Sequence, residues 1–282
     1  MDKPVGPTSH DAVALVRRLL GVRRVGHSGT LDPGASGLLV VLVGRATRLA
    51  RFLGPLPKRY RGTVRFGAET DSDDASGEVT VTDESWRALD ARSIGAALAE
   101  VASRTEQVPP AISAKQVGGE RAYRLARRGS PAELVAAPVA VRRLEAVRVA
   151  LPEVDVEVEC SSGTYVRAIA RDLGRALGTR AHLAALRRTG IGSWDVARAV
   201  SLEGAGAESL ARALRAPLEA VAHLPALEVA PEVAERVRHG IAVDAGDGPE
   251  GPVALTWEGA LLAVAERRGG GGALAPLVVL AS

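Results

Sequence analysis

The chain has 282 residues, 46% hydrophobic and 3% aromatic, with a formal net charge of +3. Its single cysteine, Cys160, excludes an internal disulfide, its five scattered histidines give no familiar metal-ligand spacing, and its longest useful apolar run, Leu38 to Val43, is too short to span a bilayer. Charge is unevenly spread: residues 1–62 hold eleven Lys and Arg against three aspartates, a surplus of eight, so the other 220 residues sum to −5 and the N-terminal part is expected to face a polyanion.

The opening "MDKPVGPTSHD" has no apolar signal core, and with one thiol it points to a soluble protein in a reducing, cytoplasmic setting. Thr8 or Ser9 is placed to cap a helix whose apolar residues Val13, Val16, Leu19 and Leu20 recur at helical spacing and which stops at Gly21. Leu38 to Val43 reads as one buried strand, "KRYRGTVRFG" as another, and "ETDSDDASG" as a turn-rich acidic loop. "PPAISAKQVGGERAYRLARRG" runs from an extended start through a Gly-Gly turn into a basic helix with Arg121, Arg124 and Arg128 on one face. "VDVEVEC", Val154 to Cys160, alternates strictly and leads through "SSGTY" to a helix carrying Ile169, Leu173 and Leu177. Beyond about residue 217, "GPVALTW", "ALLAVAE" and "LAPLVVL" are strand candidates between Gly-rich turns, which predicts a small β-rich domain over 218–282 after a larger domain over 1–217.

The densest chemistry lies in "RRVGHSGTLDPGASG", where Asp32 sits between Leu31 and Pro33 amid Gly26, Gly29, Gly34 and Gly37. Alone, an aspartate before proline is a turn former, because its side chain bonds its own backbone. Here the arginine-rich flank and the glycines let a phosphorylated or nucleic-acid ligand approach the backbone closely.

"DKPVGPTS", "VGHSGTLDPGASGLLVVLVGRATRL", "KRYRGTVRFGAETDSDDASG", "PPAISAKQVGGERAYRLARRG", "CSSGTYVRAIARDLG" and "HLAALRRTGIG", in this order, resemble the TruB family of tRNA pseudouridine synthases of the bacterial type, over nearly the whole chain. The resemblance implies an α+β fold: a mixed, mostly antiparallel sheet, and a small β-rich, PUA-like C-terminal domain. It implies isomerisation of the uridine at position 55 in the T-loop of tRNA, with no metal or organic cofactor. The base is detached at N1 and rejoined to the ribose through C5. Asp32 matches the family's catalytic aspartate. Such a carboxylate works while ionised, and Arg167 in "GTYVR" matches the arginine that pairs with it.

The target base must leave its stack, and Tyr60 matches the tyrosine that stacks on it and takes part in proton transfer. His27 matches the residue filling the space the base vacates. Tyr165 and Leu186 match residues lining the uridine pocket, and Asp74 an acid beside the base and RNA. Lys3, Arg48, Lys115 and the Arg121, Arg124 and Arg128 stripe are expected phosphate contacts. The resemblance further implies a monomer that needs no protein partner and no membrane.

Two features depart from the family pattern. The chain starts at "MDKP" without the short apolar strand usual before it, so a trimmed sheet edge or an upstream start is expected, and Ile112 stands where a tyrosine is common, with Lys115 one place early. Three rivals remain at this stage. An N-glycosidase would want paired carboxylates, an RNA-remodelling protein would flip the base without isomerising it, and a guide-RNA-dependent synthase would carry extra extensions.

Overall fold

The structure, a computed structural model, describes residues 1–112, 116–117, 120–121, 134–244, 250–267 and 273–280. The chain divides into two compact units. The first comprises residues 1–9, 31–38 and 55–203, and the second residues 10–30, 39–54 and 204–282, so the boundary expected near 217 lies inside the second unit.

In chain order the principal elements to residue 203 are β1 (Asp2–Lys3), α1 (Ser9–Leu20), β2 (Val25–Ser28), β3 (Ala35–Leu38), β4 (Val40–Val43), β5 (Lys58–Phe66), β6 (Ala68–Thr70), β7 (Val79–Thr82), α2 (Ala91–Ser103), β8 (Val141–Ala150), β9 (Glu153–Cys160), α3 (Val166–Ala176), β10 (Ala181–Ile191) and β11 (Trp194–Asp195). The first unit is built on a seven-stranded sheet in the order β1-β3-β10-β5-β9-β8, with β11 also paired to β10. Only β3 and β10 run parallel; the other pairs are antiparallel, which is the mixed sheet the sequence led us to expect.

Local sequence explains most of these elements. In β9 every second residue is buried, and Val154, Val156, Val158 and Cys160 face the core as the alternation requires. α2 starts at a capping box in which the Asp90 carboxylate accepts from the Ser93 N–H at 2.7 Å and the Ser93 hydroxyl accepts from the Asp90 N–H at 3.1 Å. Its Ile94, Ala97, Leu98 and Val101 then form one apolar stripe. That stripe and the Ile169, Ala170 and Leu173 face of α3 cover one side of the sheet, packing on Val64, Phe66, Val154, Val156, Val158 and Leu183.

Two expectations need correction. Leu38 to Val43 is two strands, because β3 hydrogen-bonds to β1 and β10 in the large sheet, whereas β4 pairs with β2 in a separate hairpin. The run is apolar on both faces, so its pattern carries no mark of the break. Beyond β6 the acidic segment is the turn-rich loop expected, with Ser72 and Asp73 buried and Asp73 at a φ of +60°. Arg121, expected on a helix, has backbone in the short strand Glu120–Arg121, paired with Gln116–Val117; Lys115, Arg124 and Arg128 lie outside the described residues.

Gly37 in β3 is required where it stands. Its φ is +105°, and a Cβ there would fall 2.2 Å from the carbonyl oxygen of Arg188 on the neighbouring strand. We expect Gly37→Ala to cost about 3 kcal/mol or more, from left-handed strain plus a backbone clash that cannot relax, read as a lowered urea midpoint.

The second unit contains the β2 and β4 hairpin, which runs antiparallel from Val25↔Val43 to Ser28↔Val40. After residue 203 come β12 (Ala226–Glu228), α4 (Pro231–Arg238), β13 (Val243–Asp244), β14 (Pro252–Trp257), β15 (Ala260–Arg267) and β16 (Ala273–Val279). They form a five-stranded sheet in the order β12-β14-β15-β16-β13, as the three strand candidates in the tail predicted. Ala234 and Val237 of α4 close its core over Val253, Leu255, Ala263 and Leu274. Among the described residues no helix is long and apolar enough to cross a membrane.

Candidate active site

Asp32 sits in a loop whose backbone is fixed from several sides. The hydroxyl of Ser9, the first residue of α1, accepts from the Leu31 N–H at 2.9 Å and donates to the Leu31 carbonyl at 3.0 Å. The Gly6 N–H donates to the Pro33 carbonyl at 2.9 Å, and the Ala35 N–H closes the turn onto the Asp32 carbonyl at 3.0 Å. The loop of permissive residues is therefore a rigid mount, with the Asp32 side chain left half exposed. Ser9 serves the loop with its side chain, where the sequence suggested a helix cap.

We expect Ser9→Ala to cost about 2 kcal/mol, because it strands a buried N–H and carbonyl of Leu31. It should also slow turnover more than it weakens substrate binding. Urea unfolding and steady-state kinetics check the two parts.

α3 carries the partner of Asp32. Tyr165 precedes its first turn and is held by Gln107, whose side-chain amide accepts from the Tyr165 N–H at 2.9 Å and donates to its carbonyl at 3.2 Å. This fixes the helix start and hence the aim of Arg167. The Arg167 guanidinium is buried; its Nη2 lies 3.2 Å from Asp32 Oδ2, and its Nη1 lies 3.5 Å from Asp74 Oδ2. Nη1 also donates to the carbonyls of Ser72 at 2.8 Å and Ile112 at 3.1 Å. A planar fork with several fixed donors suits this set of acceptors as a lysine would not.

The acidic loop is clamped by the same helix. Asp74 accepts from the Ser72 hydroxyl at 2.8 Å and from the Ser76 N–H at 2.9 Å. One turn along from Arg167, Arg171 pairs with buried Asp73 at 2.7 Å and donates to the Val108 carbonyl at 2.8 Å. Burial pushes the Asp73 carboxyl above its ordinary value, opposed chiefly by Arg171. A further turn along, Arg175 grips Glu69 at 2.8 Å; hydrogen bonding to Arg175 is the leading reason the Glu69 carboxyl lies below its ordinary value. Arg171 and Asp73 were not anticipated, yet arginines four residues apart in "VRAIARDLGRA" facing "ETDSDD" are a complementary pattern that could have revealed them.

Tyr60 lies on β5 between Val158 of β9 and Arg188 of β10, partly buried against the core. Burial raises its phenol above the ordinary tyrosine range, and the Arg188 guanidinium, hydrogen-bonded to it, opposes the rise. Arg188 is itself fully buried and donates from Nε to the Leu38 carbonyl at 2.8 Å.

Lys3, expected as a phosphate contact, is fully buried instead, its ammonium donating to the carbonyls of Pro4 at 2.7 Å and Pro7 at 2.9 Å. Burial lowers its pKa, and the nearby Asp32 resists that shift. Leu186 packs on the core and also lines a cavity of about 650 Å³ with Val5, Gly34, Ser36, Gly62 and Thr63. The lining of that cavity does not include Asp32, Tyr60 or Arg167.

His27 and Arg48 belong to the second unit. His27 is in β2 opposite Val41 and meets His10 edge to face at 5.7 Å. Arg48 donates to the carbonyl of Val279 at 2.8 Å, and Arg45 to that of Leu280 at 3.1 Å, so their guanidiniums bind the last strand's backbone. Among the described residues no group of three or more His, Cys, Asp or Glu could hold a metal ion.

The chain is similar to known proteins over most of its length. Residues 17–166 match the family model described as TruB family pseudouridylate synthase (N terminal domain), and residues 167–221 match the tRNA pseudouridylate synthase B C-terminal domain. A tRNA pseudouridine synthase B of Thermobifida fusca (strain YX) is 44% identical over 290 residues, spanning 100% of this chain and 97% of the relative. One from Arthrobacter sp. (strain FB24) is 46% identical over 262 residues, spanning 91% and 85%.

The fold is shared with a solved H/ACA RNP bound to a substrate RNA containing 2′-deoxyuridine, with a TM-score of 0.73 at 24% identity over 100% of this chain and 84% of that one. An archaeal box H/ACA sRNP Nop10-Cbf5 complex gives 0.70 at 26% identity over 99% and 84%. With an aspartate on a rigid loop held by a buried arginine, family models matched over residues 17–221 and a relative matched over 100% of this chain, the chain belongs to the TruB family of tRNA pseudouridine synthases, which are isomerases.

Proposed function

We propose that this isomerase converts the uridine at position 55 of the tRNA T-loop to pseudouridine, with Asp32 as the group that acts on the glycosidic bond. The observation that carries the reading is the Asp32, Arg167 and Asp74 cluster, a half-exposed carboxylate aimed by a buried guanidinium with a second carboxylate behind it. A fixed cation beside the reacting carboxylate orients its oxygens without reorganising during the reaction.

In the proposed sequence the base leaves its stack and enters the site. Its bond from N1 to the ribose breaks with the help of Asp32, the base turns, and C5 bonds to C1′. The proton on C5 is then removed, with Tyr60 as its acceptor. Tyr165 and Leu186 line the uridine pocket, His27 fills the vacated space in the T-loop, and Arg48 and Lys115 meet phosphates. No organic cofactor or metal takes part.

We propose that residues 218–282 act as a PUA-like RNA-binding module, and that the protein works in the cytoplasm as a monomer without a protein partner or guide RNA. The extent of the match to bacterial relatives supports this over a guide-dependent mode. The test uses an unmodified tRNA transcript tritiated at C5 of uridine. One tritium released per tRNA, with the label lost from position 55, supports the reading; tight binding without release assigns the chain to RNA remodelling instead.

A further inference from the structure

Tyr60 and Arg188 are direct partners in the antiparallel register of β5 and β10, so their side chains stand on the same face of the sheet. Arg188 is paired on its other side with Gly37 of β3, the strand that follows the Asp32 loop. The glycine lets the two backbones touch, since any Cβ there would meet the Arg188 carbonyl oxygen and nitrogen. The guanidinium thus sits fully buried in the middle of the sheet, anchored through Nε to Leu38 and hydrogen-bonded to the phenol of Tyr60. Lys58, two residues before Tyr60 on the same strand, is also buried and donates to the Leu56 carbonyl at 2.6 Å. Burial and then Arg188 bring its pKa down to about 8.

A buried arginine is costly unless its charge is matched. The charged and titratable groups acting on Tyr60 are Arg188, Cys160 and Asp32, and burial raises the Cys160 thiol to about 11, so it supplies no anion near neutral pH. Burial holds the phenol above the ordinary tyrosine range, and the Arg188 guanidinium, hydrogen-bonded to it, is the largest influence that opposes this.

Resting on the reading of Tyr60 given above, we propose that Arg188 is the positioning residue that makes Tyr60 a base for the C5 proton, its guanidinium holding the phenol oxygen and stabilising it as phenolate. In that step the phenol proton first passes to water. After C5 has bonded to C1′, the phenolate oxygen takes the C5 proton, and the pair from the C5–H bond forms the C5–C6 double bond. As that double bond forms, the π pair of the C6=N1 bond moves onto N1, which takes a proton from water. Atoms and charge balance, and no oxidant or co-reactant is needed.

The test compares wild type, Tyr60→Phe, Arg188→Lys and Arg188→Met on transcripts carrying hydrogen or deuterium at C5. Folding is checked by circular dichroism and by tRNA binding. Arg188→Met should lower kcat by about 10²-fold with KM little changed, the scale of a lost general base. It should also expose a primary deuterium isotope effect and move the rising limb of the kcat profile to higher pH, because the charge that favours phenolate is gone. Arg188→Lys should recover part of each effect. Substituting 3-fluorotyrosine, whose phenol is more acidic, should shift the limb of the Arg188→Lys enzyme back down, a readout that survives if Arg188→Met fails to fold.

If Tyr60→Phe keeps the full rate, the reading of Tyr60 itself is wrong. If Tyr60→Phe is inactive while Arg188→Lys shows no isotope effect and no response to fluorotyrosine, the Tyr60 reading stands and the role given to Arg188 is overturned.

Discussion

Asp32→Asn should abolish release of tritium from C5-labelled tRNA, lowering the rate by roughly 10⁴-fold or more, the scale expected when the group acting directly on the reacting bond is lost. Asparagine keeps the size and shape of the side chain, and the loop is held through the backbone of Leu31, Asp32 and Pro33, so the mount should survive. What disappears is the negative oxygen 3.2 Å from Arg167. Binding of the transcript, measured by filter retention, should change by no more than about threefold, because a loss confined to the transition state leaves ground-state affinity alone. Retention of the wild-type rate by the asparagine variant, with correct mass and fold, would falsify the assignment of Asp32.

Arg167→Lys is expected to give the second large effect. A lysine preserves the charge but concentrates its donors at one point, whereas the guanidinium reaches Asp32, Asp74 and the carbonyls of Ser72 and Ile112 together. Some of these acceptors must be left unmet, and the Asp32 oxygens lose their fixed orientation. Single-turnover rates should fall by about 10²–10³-fold with KM nearly unchanged, as when one preorganised donor is removed from an active site. Stability should fall by about 2 kcal/mol, less than for a wholly buried pair, since Asp32 is half exposed and partly screened. A drop in urea midpoint without any drop in rate would make Arg167 a structural brace only.

The sequence determined the elements whose patterns are local. β5, β9, α1, α3 and the three C-terminal strands are legible because alternation, helical spacing, Gly21 and the Gly-rich turns act within a few residues. Asp32, Arg167, Tyr60 and Asp74 stand in motifs that resemble one family, and the structure brings Asp32, Arg167 and Asp74 together.

Tertiary structure decided the rest. β10, "AHLAALRRTGI", has no strand pattern of its own and becomes the centre of the sheet because β3 and β5 both pair with it. The burial of Arg188 follows from that placement and from the register shifts between Leu183/Ala185 and Arg188/Gly190, which break the simple alternation. Lys3, exposed by every sequence criterion, is buried because carbonyls of the turn behind it, Pro4 and Pro7, fold back onto its ammonium. Arg171 and Asp73 meet only once the acidic loop lies along α3, nearly a hundred residues later in the chain. Ser9 reaches Leu31 in the same way, across 22 residues. Hydrophobic periodicity reports on one element at a time, whereas the partner of a buried charge is set by which elements pack together, and that depends on the whole fold.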